Sequence, residues 1–517
     1  MQKDILKEIV EKRENDIKNL GGNFGFNLPT ERKRKIHPFL QEKGVILEVK
    51  RASPSKGDIA PDLDSFKTAK IYSEADAKAI SCLTEQNYFK GSLQDLMNVC
   101  AAVDEYEFET KKMGPAVLRK DFLTSVQDVE IAYFAGADAI LLIARILSKD
   151  LILQMAQKAV SLGLSVLIEV RKSEDLEKLA LVMQNVPHKN ILCGVNSRDL
   201  KDFTIDMLIP VKMFAKIKKI APDARITFES GILSPECASF VSSLGFNAIL
   251  LGEAAAKNPQ NAKKFISAFE NEKENKNAKF WHKISNLLEE NQRLVKICGI
   301  TNEKDAIFSA KSGANLLGFI FFNKSKRNVS KDEVLKIKNA LCESLKSGQI
   351  QKMPLLIGVI VDLKSQEAKD AISLVTENVL DAIQVHTFES SVEFLQNLDF
   401  KNLSHYCAIN ISSKEDFTKI EELNRLGEPR ILLDAQTKSE VGGTGKQIEK
   451  SLLQEIAKKY KLWIAGGINE QNVVELCSAL NPEVLDLSSS LEKSGGIKDL
   501  TKIESFFKTI GNKNGIL

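Results

Sequence analysis

Ile46-Leu47-Glu48-Val49-Lys50-Arg51-Ala52-Ser53-Pro54-Ser55-Lys56-Gly57 opens on a short apolar strand that ends in a carboxylate and an ammonium two positions apart. Strand side chains alternate with period two, so Glu48 and Lys50 share one face. Charges on the inward face of a buried strand need a reason, because an unpaired buried charge is costly. The same pattern, an apolar run with a charged end, recurs at Val117-Leu118-Arg119-Lys120-Asp121-Phe122, Val166-Leu167-Ile168-Glu169 and Thr227-Phe228-Glu229. One such pair reads equally well as a structural ion pair. Several polar strand ends together read as a reaction site at the C-terminal rim of a parallel β-barrel.

Working outward, the first half reads as strand then helix, eight times. The strands are expected at 45–49, 79–83, 116–119, 139–143, 165–169, 191–195, 226–229 and 248–251, with crossover helices such as 62–75 and 124–135 between them. The strands are apolar on both faces, as expected where helices cover the outside of a sheet. Residues 1–20 form an extra helix ahead of the first strand. A polar stretch, Asn271-Glu272-Lys273-Glu274-Asn275-Lys276-Asn277-Ala278-Lys279, then interrupts the pattern, with a helical 283–292 after it. The pattern restarts at Leu294, with strands at 294–297, 316–320, 355–361, 382–385, 407–410, 431–434, 462–465 and 484–487. The fold class is α/β, two tandem (β/α)8 TIM barrels. The expected division is 1–270 for the first barrel, 271–292 for a connecting segment and 293–517 for the second.

The bulk composition agrees and excludes several classes. A chain of 517 residues is too long for one ordinary core and suits two domains of roughly 250. The 72 basic and 69 acidic residues nearly cancel, which gives no footprint for nucleic acid or a membrane surface. The eight cysteines lie far apart without C-x-x-C spacing, so neither a zinc site nor a disulfide framework is indicated. No apolar run approaches the roughly 20 residues of a membrane helix. A cytoplasmic protein that binds no metal is expected.

Both halves end alike. Phe228-Glu229-Ser230-Gly231-Ile232 is followed by Leu250-Leu251-Gly252-Glu253, and Ile464-Ala465-Gly466-Gly467-Ile468 by Asp486-Leu487-Ser488-Ser489-Ser490. Small residues after strands seven and eight let backbone N–H groups approach an anion, the usual phosphate site of this fold. One Gly-rich turn is weak evidence; two correctly spaced pairs point to phosphorylated substrates in both halves.

The first half resembles indole-3-glycerol-phosphate synthase across about residues 1–265. The motifs that carry the resemblance are Glu48-x-Lys50-x-x-Ser53-Pro54-Ser55, Leu83-Thr84-Glu85 with Tyr88-Phe89-x-Gly91-Ser92, Leu118-Arg119-Lys120-Asp121-Phe122, Glu169-Val170, Asn196-Ser197-Arg198-Asp199 and Glu229-Ser230-Gly231-Ile232. The resemblance implies closure of a pyrrole ring on 1-(2-carboxyphenylamino)-1-deoxyribulose 5-phosphate with loss of CO2 and water. It implies Lys120 as general acid, Lys50 as partner of the substrate carboxylate, Glu169 as base and Glu48 as the group positioning the lysines. Asn196 and Glu229 would bind polar groups, and Pro54, Phe89 and Phe122 would line the aromatic slot. Ser53, Arg198, Ser230, Gly231 and Gly252 would bind phosphate. Neighbouring carboxylates should keep a lysine protonated, while burial and a second lysine should draw its pKa down.

The second half resembles phosphoribosylanthranilate isomerase over about residues 293–512. Its anchors are Val295-Lys296-Ile297-Cys298-Gly299-Ile300-Thr301, Ser325-Lys326-Arg327, Gln384-Val385-His386, Leu433-Asp434, Gly442-Gly443-Thr444-Gly445-Lys446, Ala465-Gly466-Gly467-Ile468-Asn469 and Asp486-Leu487-Ser488-Ser489. The resemblance implies an Amadori rearrangement with Cys298 as base, Asp434 as acid and Arg327 holding the anthranilate carboxylate. Gly443, Thr444, Gly445, Lys446, Gly466, Gly467, Ser488 and Ser489 would take the phosphate. The base role asks for a lowered pKa at Cys298, and the acid role for a raised one at Asp434. Two positions depart from the family pattern: Thr387 and Ser490 stand where glycine is usual. His386 reads as a wall residue.

The product of the second reaction is the substrate of the first, which makes a bifunctional enzyme without cofactors the expected reading. Two complete barrels on one chain reduce the need for partners, so a monomer is expected. A rival is the Amadori isomerase of histidine biosynthesis, which pairs two aspartates where this chain has Cys298 and Asp434. Another is a phosphate-binding scaffold with one inactive barrel, which the presence of each expected acid and base disfavours.

Overall fold

The computed structural model describes residues 4–199, 201–271, 276–397, 400, 403–435 and 448–511. It divides into two compact units, Met1–Lys273 and Glu274–Leu517. In the first, β1 (Gly44–Val49), β2 (Ala79–Leu83), β3 (Ala116–Lys120), β4 (Ala139–Ile143), β5 (Ser165–Val170), β6 (Ile191–Asn196), β7 (Arg225–Glu229) and β8 (Ala248–Leu251) pair in parallel, each with its successor. The sheet closes because β8 pairs back onto β1, Leu250 opposite Ile46. The second unit repeats the arrangement with β9 (Leu294–Cys298), β10 (Leu316–Phe321), β11 (Leu355–Ile360), β12 (Ala382–His386), β13 (His405–Ile411), β14 (Ile431–Ala435), β15 (Trp463–Ala465) and β16 (Val484–Leu487), closed by β16 on β9. All sixteen expected strands are present, and both closed barrels match the expected fold class.

Local signals start the crossover helices. The expected 124–135 helix runs Val126–Phe134, where Ser125 and Asp128 form a reciprocal capping box. The 62–75 helix runs Ser65–Glu74 behind an Asp64 cap. The extra N-terminal helix is α1 (Ile5–Leu20), capped by Asp4. Of the stretch expected to connect the barrels, Lys276–Glu290 folds as a helix (α2) belonging to the second unit. Its Phe280 and Trp281 are fully buried: Phe280 stacks on Tyr406 with ring centres 5.9 Å apart, and Trp281 lies 5.8 Å from Trp463. No helix among the described residues is long and apolar enough to cross a membrane.

Alternation along the strands decides what each barrel encloses. In the first, Ile46, Leu118, Leu141, Leu167, Leu192 and Leu250 form the apolar filling. Two residues further along the same faces come Glu48, Lys120, Ile143, Glu169 and Gly194, so the charges sit on the C-terminal side of a packed layer. The second barrel is apolar between strands and helices, at Val295, Ile297, Leu317 and Phe319. Its interior instead carries Lys296, Gln384, Tyr406 and Asp486, all buried.

The rim of β3 is braced from behind. Arg13 of α1 reaches Asp121 at 3.3 Å and Asp128 at 2.6 Å. Arg119 donates to Asp121 at 3.3 Å and to the Asp128 carbonyl at 3.0 Å, and Thr84 donates to Asp121 at 2.7 Å. All four charged side chains are buried. Removing one member leaves a buried charge uncompensated, so Arg13→Ala should cost about 3–5 kcal/mol. Amide hydrogen exchange across β3 should accelerate accordingly while β9–β16 keep their protection, and unchanged exchange in β3 would contradict this bracing.

Candidate active sites

In the first barrel one carboxylate clamps two lysines. Glu48 Oε1 lies 2.7 Å from Lys50 Nζ, and Oε2 lies 3.3 Å from Lys120 Nζ. Burial alone would raise the Glu48 pKa, but Lys120 and Lys50 outweigh it and hold it at about 2. Lys120 corrects a sequence expectation. Burial does pull its pKa down, but Glu48, Glu169 and Glu229 outweigh burial, and the net shift is upward. Lys120 thus keeps its proton across the neutral range.

Opposite the lysines, Glu169 and Glu229 lie together. Burial raises both; Lys120 moderates Glu169, whereas the Glu169 charge drives Glu229 higher still. Asn196 Nδ2 donates to Glu169 Oε2 at 3.3 Å. A Cβ at Gly194 would lie 2.0 Å from Glu229 Oε1, so only glycine leaves this carboxyl its place. Gly252 acts likewise beneath the clamp, where a Cβ would lie 2.5 Å from Lys50 Nζ and 2.6 Å from Glu48 Oε1.

These groups line a single cavity with Ser53, Arg198, Ser230, Gly231 and Gly252. Arg198 Nη1 donates to Ser55 Oγ at 3.3 Å. Ser230 and Gly231 take φ of 68° and 79°, consecutive left-handed residues that turn the chain sharply after β7. Phe89 and Phe122 face the same cavity with ring centres 6.1 Å apart. Pro54 is not brought in: Ser53 and Ser55 line the cavity on either side of it. Leu141 and Ile143 of β4 complete the apolar wall, and strand alternation with Ala139 was signal enough to find them. Phe203, in a loop at φ 61°, also lines it, and no sequence periodicity marks that position.

The second cavity brings together Cys298 from the end of β9, Asp434 from β14, Arg327, Gly466, Gly467, Ser488 and Ser489. The segment holding Gly443, Thr444, Gly445 and Lys446 lies outside the described residues. Burial raises the Asp434 carboxyl, with His386 Nε2 3.9 Å away pulling against it. Burial also raises Cys298, more than Lys296, Lys498 and Arg327 together lower it. The expected lowering of that thiol is therefore corrected: desolvation of the thiolate wins. Arg327 is preset by Glu492, which accepts from its Nε and Nη2, each at 2.9 Å. Sequence reasoning missed Glu492 because it follows the last barrel strand, on a short hairpin (Glu492–Ser494 with Ile497–Lys498).

The two departures from the family pattern differ physically. Ser490 lines the cavity without a left-handed backbone, so nothing in its conformation demands glycine. Thr387 sits at φ 102°, a region costly for a β-branched residue. Its hydroxyl partly compensates by accepting from Ser390 N–H at 3.3 Å at the start of helix Phe388–Gln396.

Two closed parallel barrels, each with an acid–base set at its C-terminal rim beside turns of small residues, define a two-site enzyme of the (β/α)8 class. The family model for indole-3-glycerol phosphate synthase matches residues 6–269, and that for N-(5'-phosphoribosyl)anthranilate isomerase matches residues 295–509. The tryptophan biosynthesis protein TrpCF of Haemophilus influenzae is 30% identical over 477 residues, covering 91% of this chain and 87% of that one. The multifunctional tryptophan biosynthesis protein of Schizosaccharomyces pombe is 32% identical over 488 residues, covering 90% of this chain and 59% of that one. This chain spans about six-tenths of the length of such multifunctional relatives, that of Phycomyces blakesleeanus included at 62%. The chain belongs to the indole-3-glycerol phosphate synthase family over its first barrel, to the phosphoribosylanthranilate isomerase family over its second, and across both to the TrpCF tryptophan-biosynthesis proteins.

Two outcomes follow from these geometries. A carboxyl with a raised folded pKa binds a proton where the unfolded chain does not, so it costs stability as pH rises above its unfolded value of 4.5. Glu229→Gln should therefore raise the urea midpoint of the first unit at pH 8 and leave it nearly unchanged at pH 4, and an equal effect at both would contradict the raised pKa. Thr387→Gly should stabilise the second unit by about 1 kcal/mol, since relief of strain exceeds the loss of the cap and the added chain entropy. A lower thermal midpoint in that variant would show the position to be unstrained.

Proposed function

We propose that the second barrel converts N-(5-phosphoribosyl)anthranilate to 1-(2-carboxyphenylamino)-1-deoxyribulose 5-phosphate, and that the first converts this product to indole-3-glycerol phosphate, CO2 and water. The observation carrying the reading is that each cavity holds its own complete acid–base set: Lys120 with Glu169 in one, Asp434 with Cys298 in the other.

In the isomerase site, the protonated Asp434 carboxyl gives its proton to the furanose ring oxygen. The ring opens to a Schiff base, and the Cys298 thiolate takes the proton from C2. Arg327, preset by Glu492, holds the anthranilate carboxylate with its planar fork. Gly466, Gly467, Ser488 and Ser489 receive the phosphate.

In the synthase site, Lys120 protonates the ribulose carbonyl as the arene carbon attacks it. Its raised pKa keeps the ammonium charged until the carbonyl oxygen gains basicity, so transfer belongs to the transition state. Lys50 pairs with the substrate carboxylate until CO2 leaves. Glu169, raised by burial, takes the proton released in dehydration. Asn196 and Glu229 bind polar groups, while Phe89 and Phe122 flank the aromatic ring. Ser53, Arg198, Ser230 and the Gly231 and Gly252 turns hold the phosphate.

The even charge balance and the free cysteines suit a reducing cytoplasm, and two barrels complete in themselves suit a monomer, which sedimentation would test. A coupled assay on freshly made phosphoribosylanthranilate tests the function. Lys120→Met should lower ring closure by at least about 10²–10⁴-fold and leave isomerisation intact, with the aminodeoxyribulose accumulating. Cys298→Ser should do the reverse. Parallel loss of both activities in either folded variant would refute two independent sites.

A further inference from the structure

Lys296 is a buried cation that the steps above do not use. It lies on the inward face of β9, two residues before Cys298, and is 1% exposed. Its Nζ lies 2.7 Å from Asp486 Oδ2 on the paired strand β16 and also donates to Gln384 Oε1 on β12. Tyr406 shares that Gln384 oxygen at 2.8 Å, and its ring centre lies 5.9 Å from the ammonium. The lysine therefore has a fixed place under the cavity floor.

Gly318, opposite Cys298 on β10, shows how close that place is to the sulfur. A Cβ there would lie 2.7 Å from Cys298 Sγ and 3.0 Å from Lys296 Cε. Both atoms border the single gap the glycine leaves. A buried lysine–aspartate pair adds little stability over apolar residues of the same size, so stability alone does not account for it. An ammonium beside a thiol in a desolvated site favours the thiolate.

We propose that Lys296 is a positioning residue of the isomerase site, its ammonium clamped by Asp486 so as to set how readily Cys298 yields its proton. This rests on the reading of Cys298 as the base. Among the described residues, the other charged groups acting on the sulfur are Lys498, whose Nζ donates to the Cys298 carbonyl at 2.6 Å, and Arg327, both bound by Glu492. Asp434 on β14 and His386 on β12 share the cavity. Burial pushes the thiol up; Lys296 opposes this most strongly, and Asp486 acts in the opposite sense to the lysine.

The test is the pH dependence of Cys298 alkylation by iodoacetamide in the full chain, read by mass on the Cys298 peptide. Lys296→Met should slow alkylation at pH 7.5 about tenfold and move the profile to higher pH, the size of a one-unit shift. Asp486→Asn, which keeps the lysine and the side-chain shape, should speed it several-fold. Profiles that overlay wild type in both variants would overturn the proposal. So would shifts in the same direction, since lost packing moves both alike and lost charge does not. Isomerase activity surviving in Cys298→Ser would instead overturn the reading of Cys298 as base while leaving the opposed alkylation shifts in place.

Discussion

A closed parallel barrel sends every second side chain into a space with no water, so whatever points inward must be apolar or paired. Both units of this chain obey that constraint. Ile46, Leu118, Leu167 and Leu250 fill the first barrel below the rim, and charges begin one alternation later, where each can meet an opposite charge. Glu48 illustrates the rule. A carboxylate this buried is tolerated because Lys50 and Lys120 both reach it, and the same contact fixes the two ammonium groups in space. Stability and preorganisation here are one interaction.

The two sites solve the problem of holding protons in different ways. The first gathers two lysines and three carboxylates so tightly that the groups pull apart: Glu48 is held ionised, Lys120 is held charged, and Glu229 is pushed upward by burial and by Glu169. The second has fewer charges at its mouth and relies on burial, which raises Asp434 and Cys298 alike. On the proposed assignment, raising suits Asp434 as the acid and opposes Cys298 as the base, and the cations gathered around the sulfur work against that rise. Lys296, Lys498 and Arg327 each pull the thiol back down, without outweighing its burial.

Glycine in both barrels marks where a functional side chain needs space. Gly194 makes room for Glu229, Gly252 for the Glu48–Lys50 clamp and Gly318 for the Cys298 sulfur. Gly194 and Gly318 stand within the motifs that carry the two resemblances, yet of the three only Gly252 was assigned a role from sequence, as a phosphate contact, because a missing Cβ acquires meaning only from the atom that occupies its place. Pro54 and Phe203 err in opposite directions for a related reason. Both lie in loops, where neither period two nor period 3.6 says which way a side chain points.

Taken alone, the sequence determined the sixteen strands, their closure into two barrels and the charged strand ends Glu48, Lys120, Glu169 and Glu229, because hydrophobic periodicity is local and unusually regular in this fold. It did not determine that α2 packs its aromatics against the second barrel, since amphipathic spacing does not name the surface a helix will cover. Nor did it determine the sign of the pKa shifts at Lys120 and Cys298. Those depend on burial set against charges up to 200 positions away, a balance that exists only once the strands have closed.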